Sequence, residues 1–77
     1  MTRKDLLGCR QVNSKAITGY IHEQGLKQYW VAWQAGVHPS TLRRWMDGSV
    51  PRAELWRLVR LSTVLDVPVE SLYLEEK

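Results

Sequence analysis

The sequence has little of what a disulfide-bonded, metal-binding, exported or membrane-spanning protein needs. It contains one cysteine, Cys9, which cannot form an internal disulfide, and no set of cysteines and histidines has metal-site spacing. The longest stretch without a charged residue, Gln28 to Leu42, includes glutamine, glycine, histidine and proline, so no segment could span a bilayer. The N-terminus lacks the apolar stretch of a signal peptide. These absences predict a cytoplasmic protein with no metal and no other cofactor.

The short length excludes further classes of protein. With 77 residues, of which 44% are hydrophobic, the chain is one small folded domain rather than a disordered tail. A chain of this size buries only about 60% of its unfolded surface, which leaves little room for a closed catalytic cavity. The polar residues Cys9, His22, Glu23 and His38 match neither a zinc pattern nor a catalytic triad. We therefore expect a binding module, without catalytic residues, rather than an enzyme.

Charge is distributed unevenly along the chain. From Lys27 to Arg60 there are six basic and two acidic residues, a net charge of +4, whereas from Leu61 onward one base and four acids give −3. A basic middle segment is typical of a protein that meets a polyanion. A mixed, solvated surface produces the same balance, so charge alone leaves both interpretations open.

Helix signals recur, and no strand signal rises above noise: there is no sustained alternation, no Asn-Gly hairpin and no phenylalanine. Asn13 can cap a helix that ends at Gly25, Gly36 can end the next, and each of the three prolines stands where proline opens a helix. The pattern predicts an all-α, compact bundle of five short helices, at about 13–24, 27–35, 39–47, 52–65 and 68–74. Residues 1–12 are predicted to be an N-terminal arm, 13–74 the domain and 75–77 a tail.

The second and third predicted helices are spaced to cross at a steep angle through a tight turn. Ala32 is small enough for close approach, and Gly36 supplies a left-handed conformation that costs other residues about 1–2 kcal/mol. Leu42 and Trp45, three apart, anchor the following helix on its inner side. At 100° per residue, the face that remains outward carries Pro39, Ser40, Arg43, Arg44 and Asp47.

A short helix that presents a hydroxyl and two guanidinium groups can enter the major groove of DNA. Arginine can donate two hydrogen bonds to guanine O6 and N7, and serine can bond to a base edge or a phosphate. The alternative is that Arg43 and Arg44 are ordinary solvated helix surface. The positions of the anchors Leu42 and Trp45 turn both arginines outward and so favour DNA contact. Arg44 is then expected on a base, and Arg43 is also suited to a phosphate.

The segment LKQYWVAWQAGVHPSTLRRWMDG resembles the two-helix motif of the lambda-repressor-like or Cro-type helix-turn-helix proteins of bacteria and phages. It has a glutamine that opens the second helix, an alanine within it, a glycine at the turn and apolar anchors beyond. The later segment LWRLVRLSTVLDVPVESLYL resembles the family's closing pair of helices. The resemblance covers about residues 13–74 and implies a domain of five helices.

This resemblance implies a sequence-specific transcriptional regulator, repressor-like, that binds a palindromic operator in double-stranded DNA as a homodimer. Helix 39–47 would lie in the major groove, with base contacts from Pro39, Ser40, Arg43 and Arg44. Phosphate contacts are expected from Gln28, Lys27 and Arg52. His38 departs from the family, which commonly has serine or threonine as this helix cap, and an imidazole is a poor cap. No separate effector domain fits in this length, so no small-molecule effector is expected.

The tryptophans other than Trp45 have no place in that helix-turn-helix core. Trp56 and Val59, three apart on the fourth predicted helix, favour a dimer contact. Three interpretations stay open for Trp30 and Trp33: cover by the N-terminal arm through Leu6, Leu7 and Val12, a self-association patch, or stacking of single-stranded bases, for which the known platforms are mostly sheets or open grooves. A second class of function therefore stays open: a protein-interaction module, such as an antitoxin or accessory subunit, in which DNA binding is secondary.

Overall fold

Four α-helices, a short 3-10 helix and a small antiparallel sheet make up residues 7–74, the part of the chain that the computed structural model describes. The helices are α1 (Ser14–Glu23), α2 (Gln28–Ala35), α3 (Pro39–Asp47) and α4 (Leu55–Leu65), followed by the 3-10 helix Val69–Leu72. The strands are β1 (Cys9–Val12), β2 (Arg52–Glu54) and β3 (Tyr73–Leu74).

The sheet brings together three short segments that are far apart in the chain. Its order is β2-β1-β3, and both pairings are antiparallel, with Arg10 opposite Ala53 and Val12 opposite Tyr73. Backbone bonds beyond the strand ends extend the ladders: the Leu55 amide donates to the Gly8 carbonyl at 2.9 Å. The prediction of an all-α bundle of five helices is therefore wrong.

Two of the three prolines do not open α-helices. Pro51 precedes β2, and its carbonyl accepts the Val12 amide at 2.7 Å, so the helix predicted over 52–65 starts only at Leu55. Pro68 precedes the 3-10 turn and accepts the Ser71 amide at 3.0 Å, after which the chain extends into β3. The predicted helix over 68–74 is thus a single 3-10 turn and a strand. In both places proline's fixed φ suits an extended residue as well as a helical one.

The helix ends that carry local signals are as predicted. The Asn13 side chain accepts the Ala16 amide at 3.2 Å and caps α1. Gly36 ends α2 in the left-handed conformation, with φ of 72°. The core lies between the helices and the inner side of the sheet, and its most completely buried large side chains are Trp45, Ile17, Leu42, Leu58, Leu61, Leu65, Leu72 and Val31.

Hydrogen exchange provides a direct test of the sheet. The amides of Val12 and Leu55 donate to Pro51 and Gly8 across the β1–β2 ladder, and that of Asn13 donates to Leu72. We expect these three amides to exchange at least about 100-fold more slowly than in a random coil, which corresponds to an opening free energy of about 2.7 kcal/mol. Random-coil exchange at these amides, with the amides in the middle of α4 still protected, would contradict the sheet.

Candidate nucleic-acid interface

The outward face of α3 is determined by the two side chains that the helix buries. Leu42 is 0% exposed and Trp45 2% exposed, and both belong to the core. Ser40, Arg43 and Arg44 are exposed, and Pro39 is half-buried. The structure therefore places on one outward surface the four residues expected to contact bases.

The turn between α2 and α3 is closed by backbone bonds and lies next to one side chain of α4. The amides of Gly36 and Val37 donate to the carbonyls of Trp33 and Ala32 at 3.2 and 3.0 Å. A Cβ atom at Gly36 would lie 3.0 Å from Nη1 of Arg60, which extends from α4 over the turn. Glycine suits this position because of its positive φ, and a Cβ atom here would in addition displace the Arg60 side chain.

A first open groove runs between the start of α2 and the outward face of α3. This α2–α3 groove, of about 670 Å³, is lined by Leu26, by Tyr29 and by five of the predicted contact residues, which are Lys27, Gln28, Pro39, Ser40 and Arg43. Tyr29 is 57% exposed, and its ring centroid lies 6.0 Å from Nζ of Lys27. Sequence reasoning did not include Tyr29, although its place directly after Gln28 could have drawn attention to it.

A second, smaller depression lies on the other side of α3. This arginine groove, of about 340 Å³, is lined by Arg44, Arg52 and Arg57, with Glu54, Cys9 and Thr41 among its other residues. Nη2 of Arg52 donates to the Cys9 carbonyl at 3.3 Å. Arg57 forms an ion pair with Glu54, with Nε and Oε1 3.3 Å apart. The predicted contact residues are thus divided between two grooves, and Arg57 joins them because β2 leads directly into α4.

His38 caps α3, contrary to the expectation that an imidazole would be a poor cap. Its Nδ1 accepts the Ser40 amide at 3.1 Å and lies 2.7 Å from Oγ of the same serine. The ring nitrogen takes the role that a side-chain oxygen has at most helix N-termini. The cap also ties Ser40, the second residue of α3, to the residue before the helix.

The outward face of α3 ends in a negative charge. Hydrogen bonds from the Ser49 side chain and amide, the latter at 2.7 Å, hold the pKa of the Asp47 carboxyl below its usual value. The charges of Arg43 and Arg44 act in the same direction. Because an ionised carboxylate repels phosphate, the part of this face suited to a polyanion is its N-terminal part, up to Arg44.

The two residues predicted to form a dimer contact, Trp56 and Val59, are half-buried on α4. Nε1 of Trp56 donates to Glu54 at 2.8 Å, and the guanidinium carbons of Arg57 and Arg60 lie 4.8 and 5.7 Å from its ring. Trp56 thus has partners within its own chain. A dimer contact at this position stays a prediction.

The largest exposed apolar side chains of α2 form a separate surface. Trp33 is 71% exposed and Trp30 44%, and Trp33 borders the start of α3 at His38 and Pro39. Of the three residues considered as a cover, Val12 is in the core, Leu7 is itself 56% exposed, and Leu6 lies outside the described residues. We call Tyr29, Trp30 and Trp33 the α2 aromatic face.

Residues 7–74 lack two other kinds of functional feature. No group of three or more histidine, cysteine, aspartate or glutamate side chains there could hold a metal ion. No helix in the same range has the length and apolar character needed to cross a membrane.

The cap at His38 can be tested by its contribution to stability. His38→Ala removes the acceptor of the Ser40 amide, and we expect the free energy of unfolding to fall by about 0.5–2 kcal/mol, as for other lost N-caps. His38→Asn supplies an amide oxygen at the same position and is expected to restore most of this loss. Urea unfolding of the three proteins measures the difference, and equal stability of the wild type and His38→Ala would show that the imidazole does not cap.

A scan against protein-family models gives no match, and a search of curated proteins finds no relative of comparable sequence. A search of solved structures finds a similar fold in a crystal structure described as a transcriptional regulator from Listeria innocua. The two chains superpose with a TM-score of 0.69 and 23% identity over 88% of this chain. This chain spans 64% of the length of that protein. The likeness shows that the fold is shared.

Proposed function

We propose that this protein is a helix-turn-helix transcriptional regulator that binds double-stranded DNA with α3 in a major groove. One observation carries the proposal: Leu42 and Trp45 are buried while Ser40, Arg43 and Arg44 on the same short helix are exposed. The similar fold of the transcriptional regulator from Listeria innocua supports the general role. The finer assignment to the lambda-repressor-like or Cro-type family depends on the motif from Leu26 to Gly48.

The two grooves beside α3 support this mode of binding. The major groove is about 12 Å wide and admits one α-helix, so a helix that lies in it has a phosphate backbone on each side. The α2–α3 groove offers Lys27 and Gln28 to one backbone, and the arginine groove offers Arg52 to the other. Electrostatic attraction to both strands would then position α3 without reading sequence.

Sequence would be read by the outward side chains of α3, which line these two grooves. Arg44 can donate to guanine O6 and N7, and Pro39 can contact a thymine methyl group. Arg43 lies in the groove with Lys27 and Gln28, so it can reach a base or the adjacent phosphate. In this proposal the protein acts by binding alone and performs no catalysis.

Homodimerisation and a repressor-like role complete the proposal. A two-fold dimer would place the two α3 helices in successive major grooves, about 34–36 Å apart, on a palindromic operator. Trp56 and Val59 are the proposed dimer contact. A bound dimer could repress by occupying the site, which requires no effector.

A second candidate function is favoured by the α2 aromatic face. Three neighbouring aromatic side chains with 44–71% exposure are unusual on a small monomer and are typical of protein interfaces. In this alternative the chain is an interaction module, such as an antitoxin or accessory subunit, and its contact with DNA is secondary.

Substitution of Arg44 tests the proposed base contact. We expect Arg44→Ala to weaken binding to a selected operator by about 1–3 kcal/mol and to relax the preference at one base pair, because a bidentate contact is lost. Arg44→Lys keeps the charge but not the paired donors, so it should recover affinity while leaving that position relaxed. Titration of operators with each base at that position measures both effects. Unchanged affinity and preference in Arg44→Ala would exclude this role.

Salt dependence distinguishes the two candidate functions. Binding through six or more phosphate contacts should weaken by about 10³-fold or more between 50 and 200 mM salt. Pairing through the α2 aromatic face buries uncharged groups and should change little over the same range. Fluorescence anisotropy of labelled DNA and sedimentation of the protein alone give the two measurements. Salt-insensitive DNA binding would contradict the regulator proposal.

A further inference from the structure

We propose that His38 determines which bases Ser40 can contact, because its ring holds the hydroxyl proton of Ser40 in an internal hydrogen bond. Ser40 then offers only acceptor lone pairs to DNA and selects a base with an exocyclic amine, adenine or cytosine. This inference rests on the proposed function, since it requires α3 to lie in the major groove.

The backbone of α3 first determines the tautomer of His38. The Ser40 amide points at Nδ1 over 3.1 Å, and a backbone N–H can only donate. From this bond we assign the single proton of the neutral ring to Nε2, which leaves the lone pair of Nδ1 as the acceptor. Pro39 has no N–H, so Ser40 carries the first amide of α3 that needs an acceptor.

The tautomer then determines the direction of the second bond. Oγ of Ser40 lies 2.7 Å from the same Nδ1, a distance at which one of the two atoms donates a proton to the other. Nδ1 has no proton to give, so the Ser40 hydroxyl donates. Its oxygen keeps two lone pairs and has no proton left for a further partner.

The cap is held in place by the main chain as well as by the ring. The amides of Thr41 and Leu42 both donate to the His38 carbonyl, at 2.9 and 3.2 Å. These bonds make His38 the residue that opens α3 and fix its main chain, while the two bonds of Nδ1 place the ring beside Ser40. Rotating the hydroxyl away from Nδ1 would give up one hydrogen bond, which corresponds to about 2- to 12-fold in binding.

An acceptor-only hydroxyl distinguishes among the bases in the major groove. Adenine N6 and cytosine N4 are donors there, whereas guanine O6 and N7 and thymine O4 are acceptors. Ser40 would be attracted to the first pair and repelled by the second. It would also be repelled by phosphate oxygens, so the structure favours a base rather than a phosphate as its partner.

Selection from a pool of duplexes with a randomised central segment tests this inference. We compare the wild type, His38→Ala and Ser40→Ala, each checked by circular dichroism for an intact fold. The wild type should enrich a base pair at one position that loses its preference in Ser40→Ala, and its affinity for the selected duplex should fall by at least about fivefold when the exocyclic amine of the adenine or cytosine in that pair is deleted. His38→Ala frees the hydroxyl proton and should also accept the same pair in the reversed orientation, which turns guanine or thymine toward Ser40.

The outcomes separate this inference from the proposed function. A wild type that enriches no motif overturns both. An enriched motif that is the same for the wild type and His38→Ala, or a selected duplex that the wild type binds equally well after that exocyclic amine is deleted, overturns the role of His38 alone.

A second measurement needs neither DNA nor a variant. Nitrogen NMR of the free protein at neutral pH reports which ring nitrogen of His38 carries the proton. We expect the proton on Nε2, with Nδ1 unprotonated. A ring protonated at Nδ1 would leave no acceptor for the Ser40 hydroxyl and would overturn the inference even if the variants failed to fold.

Discussion

The rotation of α3 about its own axis depends on the burial of Leu42 and Trp45, and the functional assignments follow from that rotation. Trp45 is the largest of the buried side chains. Turning α3 by one residue would expose this indole and drive an arginine toward the core, where an unpaired charge is very unfavourable. The core therefore keeps Ser40, Arg43 and Arg44 in solvent. The glycine turn, closed by two backbone hydrogen bonds, joins α3 to α2 at the N-terminal end of α3.

This orientation gives the molecule two different surfaces on the same pair of helices. The face of α3 lies between two grooves that contain basic side chains, which is an arrangement suited to a duplex. The α2 aromatic face begins in one of those grooves, at Tyr29, and reaches the start of α3 at Trp33. Because the two surfaces adjoin, a protein bound to the aromatic residues would lie close to DNA held by α3.

Local signals predicted α3 with its bounds, 39–47, and came within a residue or two of α1 and α2. The sheet was missed because its strands have four, three and two residues, too short for alternation, and because Gly8 and Leu55 meet only in the folded chain. Helical periodicity was enough to find the outward residues of α3. The spacing pattern could not show that those residues divide between two grooves, because this depends on how the helices pack. It could not show the bond from Ser40 to His38 either, because this depends on the orientation of the imidazole ring.

Chemical-shift mapping tests the central claim most directly. A nitrogen-labelled sample of the full chain would be titrated with a mixed-sequence duplex at low salt, and each backbone amide followed. The account predicts the largest changes over residues 39–47 and at the start of α2, with smaller changes near Arg52. Changes restricted to α1 and the last turns of α4, or no changes while the protein stays folded, would contradict it.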